Sequence, residues 1–308
     1  MILLGGLGLI VLALGAGAGP LLSKGAWSHR LPRAAVFAWA GALAGAIAAA
    51  VGVVAVVSTG HRGLGHRIAE WLVNCWHHHE GGDTRWYALN AMVLGATLTA
   101  VYVAARRYRR TLLQRRRHHE ALQFVVRAST ELDDVCVLDH PVPVAYCVPA
   151  RTRPIVVSSG ALDQLADGEL RAVLAHERAH LRHRHHVLLT VVDALAAALA
   201  WLPTFRDARR HLPLLLEMTA DEIAARRCGR QTVATALRKL AISPSPAGGL
   251  AAGGSDHTQL DQRLARLEAS PPADDAQVRR LTRVTAATSV AVPVLICAAW
   301  ISATPLLC

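Results

Sequence analysis

The chain has 308 residues, of which 53% are hydrophobic, 5% aromatic and 18% charged, and its mean hydropathy is +0.30. Soluble domains carry roughly 25% charged residues, so an ordinary water-soluble enzyme is excluded, and the same apolar content excludes extended disorder. The net charge of +11 takes its meaning from where the basic residues sit.

Four segments reach the roughly 20 apolar residues that a helix needs to cross a bilayer: Met1 to Leu22, Ala34 to Val57, Tyr87 to Ala105, and Val284 to Pro305. The first has neither a basic start nor a small-residue cleavage site, so it reads as a retained anchor. Lys24, Arg30 and Arg33 lie between the first two segments. Arg106, Arg107, Arg109, Arg110, Arg115, Arg116 and Arg117 follow the third, and Arg279, Arg280 and Arg283 precede the fourth. In the loop Ser58 to Trp86, Arg62, Arg67 and Arg85 are diluted by Glu70, Glu80 and Asp83. The positive-inside rule then predicts a multi-pass protein of the cytoplasmic membrane, with both termini outside and the region from Arg106 to Arg283 cytoplasmic. Basic residues beside a membrane helix attract anionic lipid. Membrane lipids therefore account for the excess charge, and no direct nucleic-acid partner is expected.

The predicted division is a three-helix membrane region with its basic flank over 1–119, a cytoplasmic domain over 120–283, and a fourth membrane helix over 284–308. In the domain, short strands are predicted at Phe124 to Arg127, Val135 to Leu138, Val144 to Val148 and Ile155 to Ser158, the last two joined by a Pro149 to Pro154 turn. Asp167 is predicted to cap a helix running toward His186, with apolar residues at helical spacing. A second helix spans about Leu212 to Arg227 and stops at Gly229. Ser243 to Ser255 reads as a Pro- and Gly-rich loop. Leu260 to Leu267 reads as a short amphipathic helix.

His176-Glu177-Arg178-Ala179-His180 is an HExxH pattern on that first helix. Residues at i and i+4 share one face, so both imidazoles can reach one metal. Glu177, one step round, is placed as general base for a water on that metal. Chance gives such a pattern in about 2% of chains of this composition. Glu217 on the second helix is the third ligand candidate. Asp221, one turn later, is placed to orient a ligand imidazole. Two His and one Glu leave a zinc position open, as catalysis requires.

Three stretches carry a family resemblance: Ile155 to Leu162, Glu169 to Glu177, and Glu217 to Asp221. Together they resemble the gluzincin membrane metallopeptidases, which include an HtpX/CAAX-protease branch and a BlaR/MecR branch. The apolar stretch Val187 to Leu202 separates the branches. One crossing there would put Glu217 across the bilayer from His176 and His180. The 36 residues between His180 and Glu217 are too few for a two-span hairpin, and Asp193 interrupts the stretch. It therefore reads as a buried or interfacial helix, which is similar to BlaR/MecR, as is Ala145 to Pro149. The resemblance implies a mainly α membrane protein of four helices, with an α+β zincin-like metallopeptidase domain between helices three and four. It implies Zn2+ as cofactor and a protein substrate, a BlaI/MecI-like winged-helix repressor. It also implies that Ile155, Val156, Val157 and Ser158 form the edge strand that pairs with substrate. The chain reads as a short form without the family's penicillin-binding sensor. Two other readings stand beside this one: an HtpX-like quality-control protease, and a non-proteolytic signal transducer holding zinc structurally.

His183, His185 and His186 extend the histidine run and read as surface or supporting groups. His61, His66, His77, His78, His79 and Glu80 crowd the predicted external loop. The six cysteines form no CxxC pair. Cys136, Cys147 and Cys228 are expected to be reduced thiols, while Cys75 and Cys308 face the oxidising side.

Overall fold

The computed structural model describes residues 2–24, 27–59, 84–123, 126–129, 133–148, 154–241, 257–269 and 275–303. The predicted external loop with its histidines, the Pro149 turn, the Ser243 to Ser255 loop, Cys75 and Cys308 lie outside the described residues.

The N-terminal apolar run folds as α1 (Ile2–Leu12), a π-helical segment (Ala13–Gly17) and α2 (Ala18–Lys24). A short α3 (Trp27–Arg30) leads to α4 (Pro32–Thr59), and α5 (Thr84–Gln123) follows. Among the described residues, three helical stretches are long and apolar enough to cross a membrane: Gly6–Lys24, Pro32–Ala55 and Ala88–Leu122. Exposed Met92, Leu98, Val101 and Tyr102 on α5 suit a lipid-facing surface.

Four short strands follow: β1 (Val126–Ala128), β2 (Val135–Leu138), β3 (Ala145–Cys147) and β4 (Ile155–Ser158). Their order in the sheet is β1-β2-β4-β3, with β2 and β4 parallel and the outer pairs antiparallel. The order corrects one expectation. Ile155, Val156, Val157 and Ser158 form an interior strand, buried along its whole length, so they offer no free edge to a substrate. An unbroken apolar run is what a strand covered on both faces requires. Among the described residues, the sheet edge next to the HExxH helix belongs to β3. Val144 and Val148 direct their backbone groups at β4, through Ser158 N–H to Val144 O at 2.9 Å and Val148 N–H to Pro154 O at 2.7 Å. By the alternation of an antiparallel ladder, the groups of Ala145 and Cys147 point away from β4.

After α6 (Ser159–Gln164), the HExxH segment lies on α7 (Asp167–Arg182). The N-cap is Ala166 rather than Asp167. Its N–H is satisfied by Glu169 Oε2 reaching back at 2.8 Å, which leaves Asp167 in the first turn. α7 ends at Arg182, short of His186, because the chain turns through Arg184 in the left-handed region at φ 51°. One face of α7 packs on the sheet through Val173 and Leu174 against Val135, Ile155 and Val157.

The stretch Val187 to Leu202 forms α8 (His185–Ala198), 14 residues long. At 1.5 Å per residue it covers about 21 Å, too short for a hydrocarbon core of about 30 Å. Val192 and Ala196 of α8 share a core with Trp39 and Leu43 of α4 and with Phe205 and Leu212 of the next helix. Asp193 of α8 is paired with Arg107 of α5 at 2.6 Å and with Arg209 at 2.9 Å. The polar residue that interrupts the stretch thus ties three helices together.

α9 (Pro203–Cys228) starts earlier than Leu212, with Pro203 in its first turn, and runs through Pro213. Proline at a first-turn position loses no internal hydrogen bond, and Pro203 takes that role. α9 ends at Gly229, with φ 88°. The absent side chain of Gly19 lets α2 approach α9, where Gly19 N–H donates to Thr204 Oγ1 at 2.8 Å. Then come α10 (Arg230–Ala241), α11 (His257–Glu268) and α12 (Asp275–Ala303). α7, α9, α10 and α11 meet in a core of small residues, among them Ala172, Ala175, Ala224 and Ala234. α12 lies along α4, with Ser289 against Gly41.

Candidate active site

α7 and α9 cross so that His176, His180 and Glu217 come together. The two imidazole Nε2 atoms are 3.1 Å apart. Glu217 Oε2 lies 3.3 Å from His176 Nε2, and Oε1 lies 3.4 Å from His180 Nε2. A tetrahedral ion bound at about 2.0–2.1 Å holds its ligand atoms about 3.3–3.4 Å apart. Separation and donor types both fit zinc. The imidazole side chains keep 13% of their exposure and Glu217 keeps 36%, so the site opens to solvent on the carboxylate side.

Both rings are held from behind. His176 Nδ1 lies 3.0 Å from Asp221 Oδ1. His180 Nδ1 lies 3.0 Å from Nδ1 of buried His185. With Nδ1 engaged, each Nε2 is left to face the common point. His183 stacks on His185 at 5.9 Å between ring centroids, one layer further out.

Two participants were not legible as such. Arg263 of α11 binds Asp221 through both ends of its guanidinium, Nε to Oδ2 and Nη2 to Oδ1, each at 2.8 Å. Its Nη1 lies 3.1 Å from Glu217 Oε2. A charge on the apolar stripe of Leu260, Leu264 and Leu267 was the available signal, since a buried arginine needs a carboxylate. Cys147 of β3 is the second. Its thiol and its backbone N–H lie toward the Glu177 carboxylate and favour its charged form.

The charges follow from these contacts. Burial pushes Glu177 up to about 7; the nearby His176 opposes this and Glu217 adds to it. Burial alone would also raise Asp221 and Glu217. The Arg263 charge and the histidines outweigh it, so Asp221 falls to about 2 and Glu217 falls well below the usual carboxylate range. For His176, burial disfavours charge, but hydrogen bonds to Asp221 and Glu217 raise it to about 10. Burial lowers His180 to about 4. Burial and the Glu177 carboxylate raise the Cys147 thiol, which keeps it a donor.

Residues 111–211 match the model for Peptidase family M48. The M48 match contains all four strands, His176, Glu177 and His180, and ends six residues before Glu217. M48 peptidases are metal-dependent hydrolases, typically with zinc. Over 77 residues the chain is 38% identical to the plastoglobule-localized metallopeptidase 48, chloroplastic, of Arabidopsis thaliana, covering 24% of this chain and 22% of that protein. It is 31% identical over 77 residues to the Protease HtpX homolog of Sulfurovum sp. (strain NBC37-1), covering 21% of this chain and 28% of that protein. The chain thus spans about a quarter of the length of these curated relatives. No solved structure matches it.

Proposed function

We propose that this chain is a membrane-held zinc endopeptidase. The observation that carries the reading is the triangle of His176 Nε2, His180 Nε2 and Glu217 carboxylate, with Glu177 beside it at a pKa near 7. His176, His180 and Glu217 would hold the ion, and Asp221 and Arg263 would keep His176 and Glu217 aimed. Bound zinc supplies a Lewis acid for the scissile carbonyl and makes water more acidic. Glu177 takes the proton from the attacking water and delivers it to the leaving amine, a role suited to a group titrating near the working pH. The outward N–H and C=O of Ala145 and the C=O of Cys147 on β3, rather than the groups of β4, would hold an extended substrate by strand pairing, the Cys147 N–H being turned to Glu177.

The proposed topology has four crossings, α12 supplying the last, with both termini outside and residues 120–283 on the cytoplasmic side. The uneven distribution of arginine supports it. Two substrate classes follow. The BlaR/MecR resemblance supports regulatory cleavage of a winged-helix repressor. The match to the HtpX homologue supports quality control of membrane proteins.

The test is comparative proteomics of cells carrying the wild type or Glu177→Ala. Proteins cut only in the wild type are the substrates, and their identity as a repressor or as damaged membrane proteins decides the class. A Glu177→Ala protein that cuts every wild-type substrate at the wild-type rate refutes the peptidase reading.

A further inference from the structure

A cavity of about 260 Å³ lies on the far flank of the two helices that carry the ligand triangle. Ala175 and Ala179 of α7 and Ile223 of α9 line it. Arg178, Arg182 and His183, from α7 and the turn after it, and Arg227 of α9 also line it, and Arg182, His183 and Arg227 are exposed. No acidic residue lines it. Arg178 reaches out of the cavity to Asp134, at 2.7 and 2.8 Å. Among the described residues, Arg182 and Arg227 have no carboxylate partner, whereas neighbouring Arg226 is paired with Glu222 at 2.7 Å.

Asp134 balances Arg178, so the uncompensated charges on this lining are Arg182 and Arg227, one from each helix. A bound anion would give both of these guanidiniums charge-assisted hydrogen bonds, for which their fork is suited.

The position selects the anion. The cavity sits at the turn where α7 gives way to α8, and α8 packs along α5, one of the stretches able to cross a membrane. His183 also lies in the field of Arg33, at the start of α4. On the proposed topology, on which this inference rests, the cavity is at the foot of the membrane helices, where an anionic headgroup is within reach. We propose that Arg182, His183 and Arg227 form a binding site for the phosphate of an anionic phospholipid headgroup, with Arg178 held at its margin by Asp134. Occupancy clamps α7 to α9 and so steadies the two helices that bring His176, His180 and Glu217 together.

The test uses the full chain in neutral detergent and follows thermal unfolding. The probes are dihexanoyl phosphatidic acid, dihexanoyl phosphatidylcholine and inorganic phosphate. Phosphatidic acid is expected to raise the midpoint, and phosphatidylcholine to leave it unmoved. In Arg182→Gln/Arg227→Gln the apparent affinity for phosphatidic acid falls about tenfold or more, while zinc content stays at the wild-type level. Arg109→Gln/Arg110→Gln, outside the cavity, responds as the wild type does. An equal response from the cavity variant overturns the site. So does an equal loss in the control variant, which marks diffuse attraction. A shift with inorganic phosphate and none with phosphatidic acid also overturns it, in favour of a free ion. Because zinc content is measured in every sample, failure of the metal centre is seen separately.

Discussion

Asp221→Asn isolates the support behind the metal centre. The carboxylate is 2% exposed and contacts three donors: His176 Nδ1, and Nε and Nη2 of Arg263. The amide keeps the shape and removes the charge. An amide nitrogen in place of Oδ2 breaks the bond from Arg263 Nε, and one in place of Oδ1 breaks those from His176 Nδ1 and Arg263 Nη2, so one or two of the three bonds are lost. Loss of such a partner typically weakens zinc binding about 10- to 100-fold, or about 1.4–2.8 kcal/mol. Arg263 would then rely on Glu217 alone, and an under-compensated buried charge costs about 3–5 kcal/mol of stability. Chelator competition in detergent measures the zinc term, and unfolding of the metal-free protein measures the other. Zinc affinity within twofold of the wild type would show that Asp221 does not aim His176, and the proposed support would fall. Arg263→Ala, assayed the same way, should weaken zinc binding in the same direction, because it frees both carboxylates at once.

Glu177→Gln should keep zinc content and lose about 10²–10⁴-fold in kcat, read with a fluorogenic peptide. Zinc can bind His176 only after its raised, near-10 proton leaves. Affinity should therefore climb as pH rises from about 6 toward 9, with proton release seen by calorimetry in buffers of different ionisation enthalpy. Asp221 has the opposite sign. Its depressed pKa gives the metal-free fold a contribution that is complete above about 4 and lost as pH falls through about 2, which acid unfolding compared with Asp221→Asn would show. Ser158→Ala should cost about 2–3 kcal/mol in chemical denaturation. The buried hydroxyl accepts from Val144 N–H and Ala161 N–H and donates to Val142 O, and all three groups lose their partner. Gly160→Ala should be worse, since its new methyl would fall 2.0 Å from the Pro141 carbonyl oxygen.

Local signals carried much of this reading. The i, i+4 histidines placed the motif on α7, and length with composition read Val187 to Leu202 as something other than a crossing. Glu217 and Asp221 were legible because their own four-residue spacing matches a helix face. Long-range facts were not. Which of two neighbouring strands ends a sheet depends on pairing order, and nothing within Ile155 to Ser158 or Ala145 to Cys147 states it. Arg263 is 42 residues from Asp221, so only its misfit within an apolar stripe hinted at a distant acid. Cys147 looked like any small buried residue, because its link to Glu177 runs across from strand to helix.

Under the proposed strand pairing, the outward-facing N–H and C=O of Ala145 and the C=O of Cys147 set a condition on what can be cut. Amide and carbonyl groups hold whatever lies along them without regard to its side chains, but only if the visitor's own amides and carbonyls are vacant. A polypeptide coiled into a helix or locked in a sheet has already spent them. Slack stretches, such as tails, unravelled loops or chains that failed to pack, would be taken first, and tightly knit neighbours would be spared by their own internal bonding.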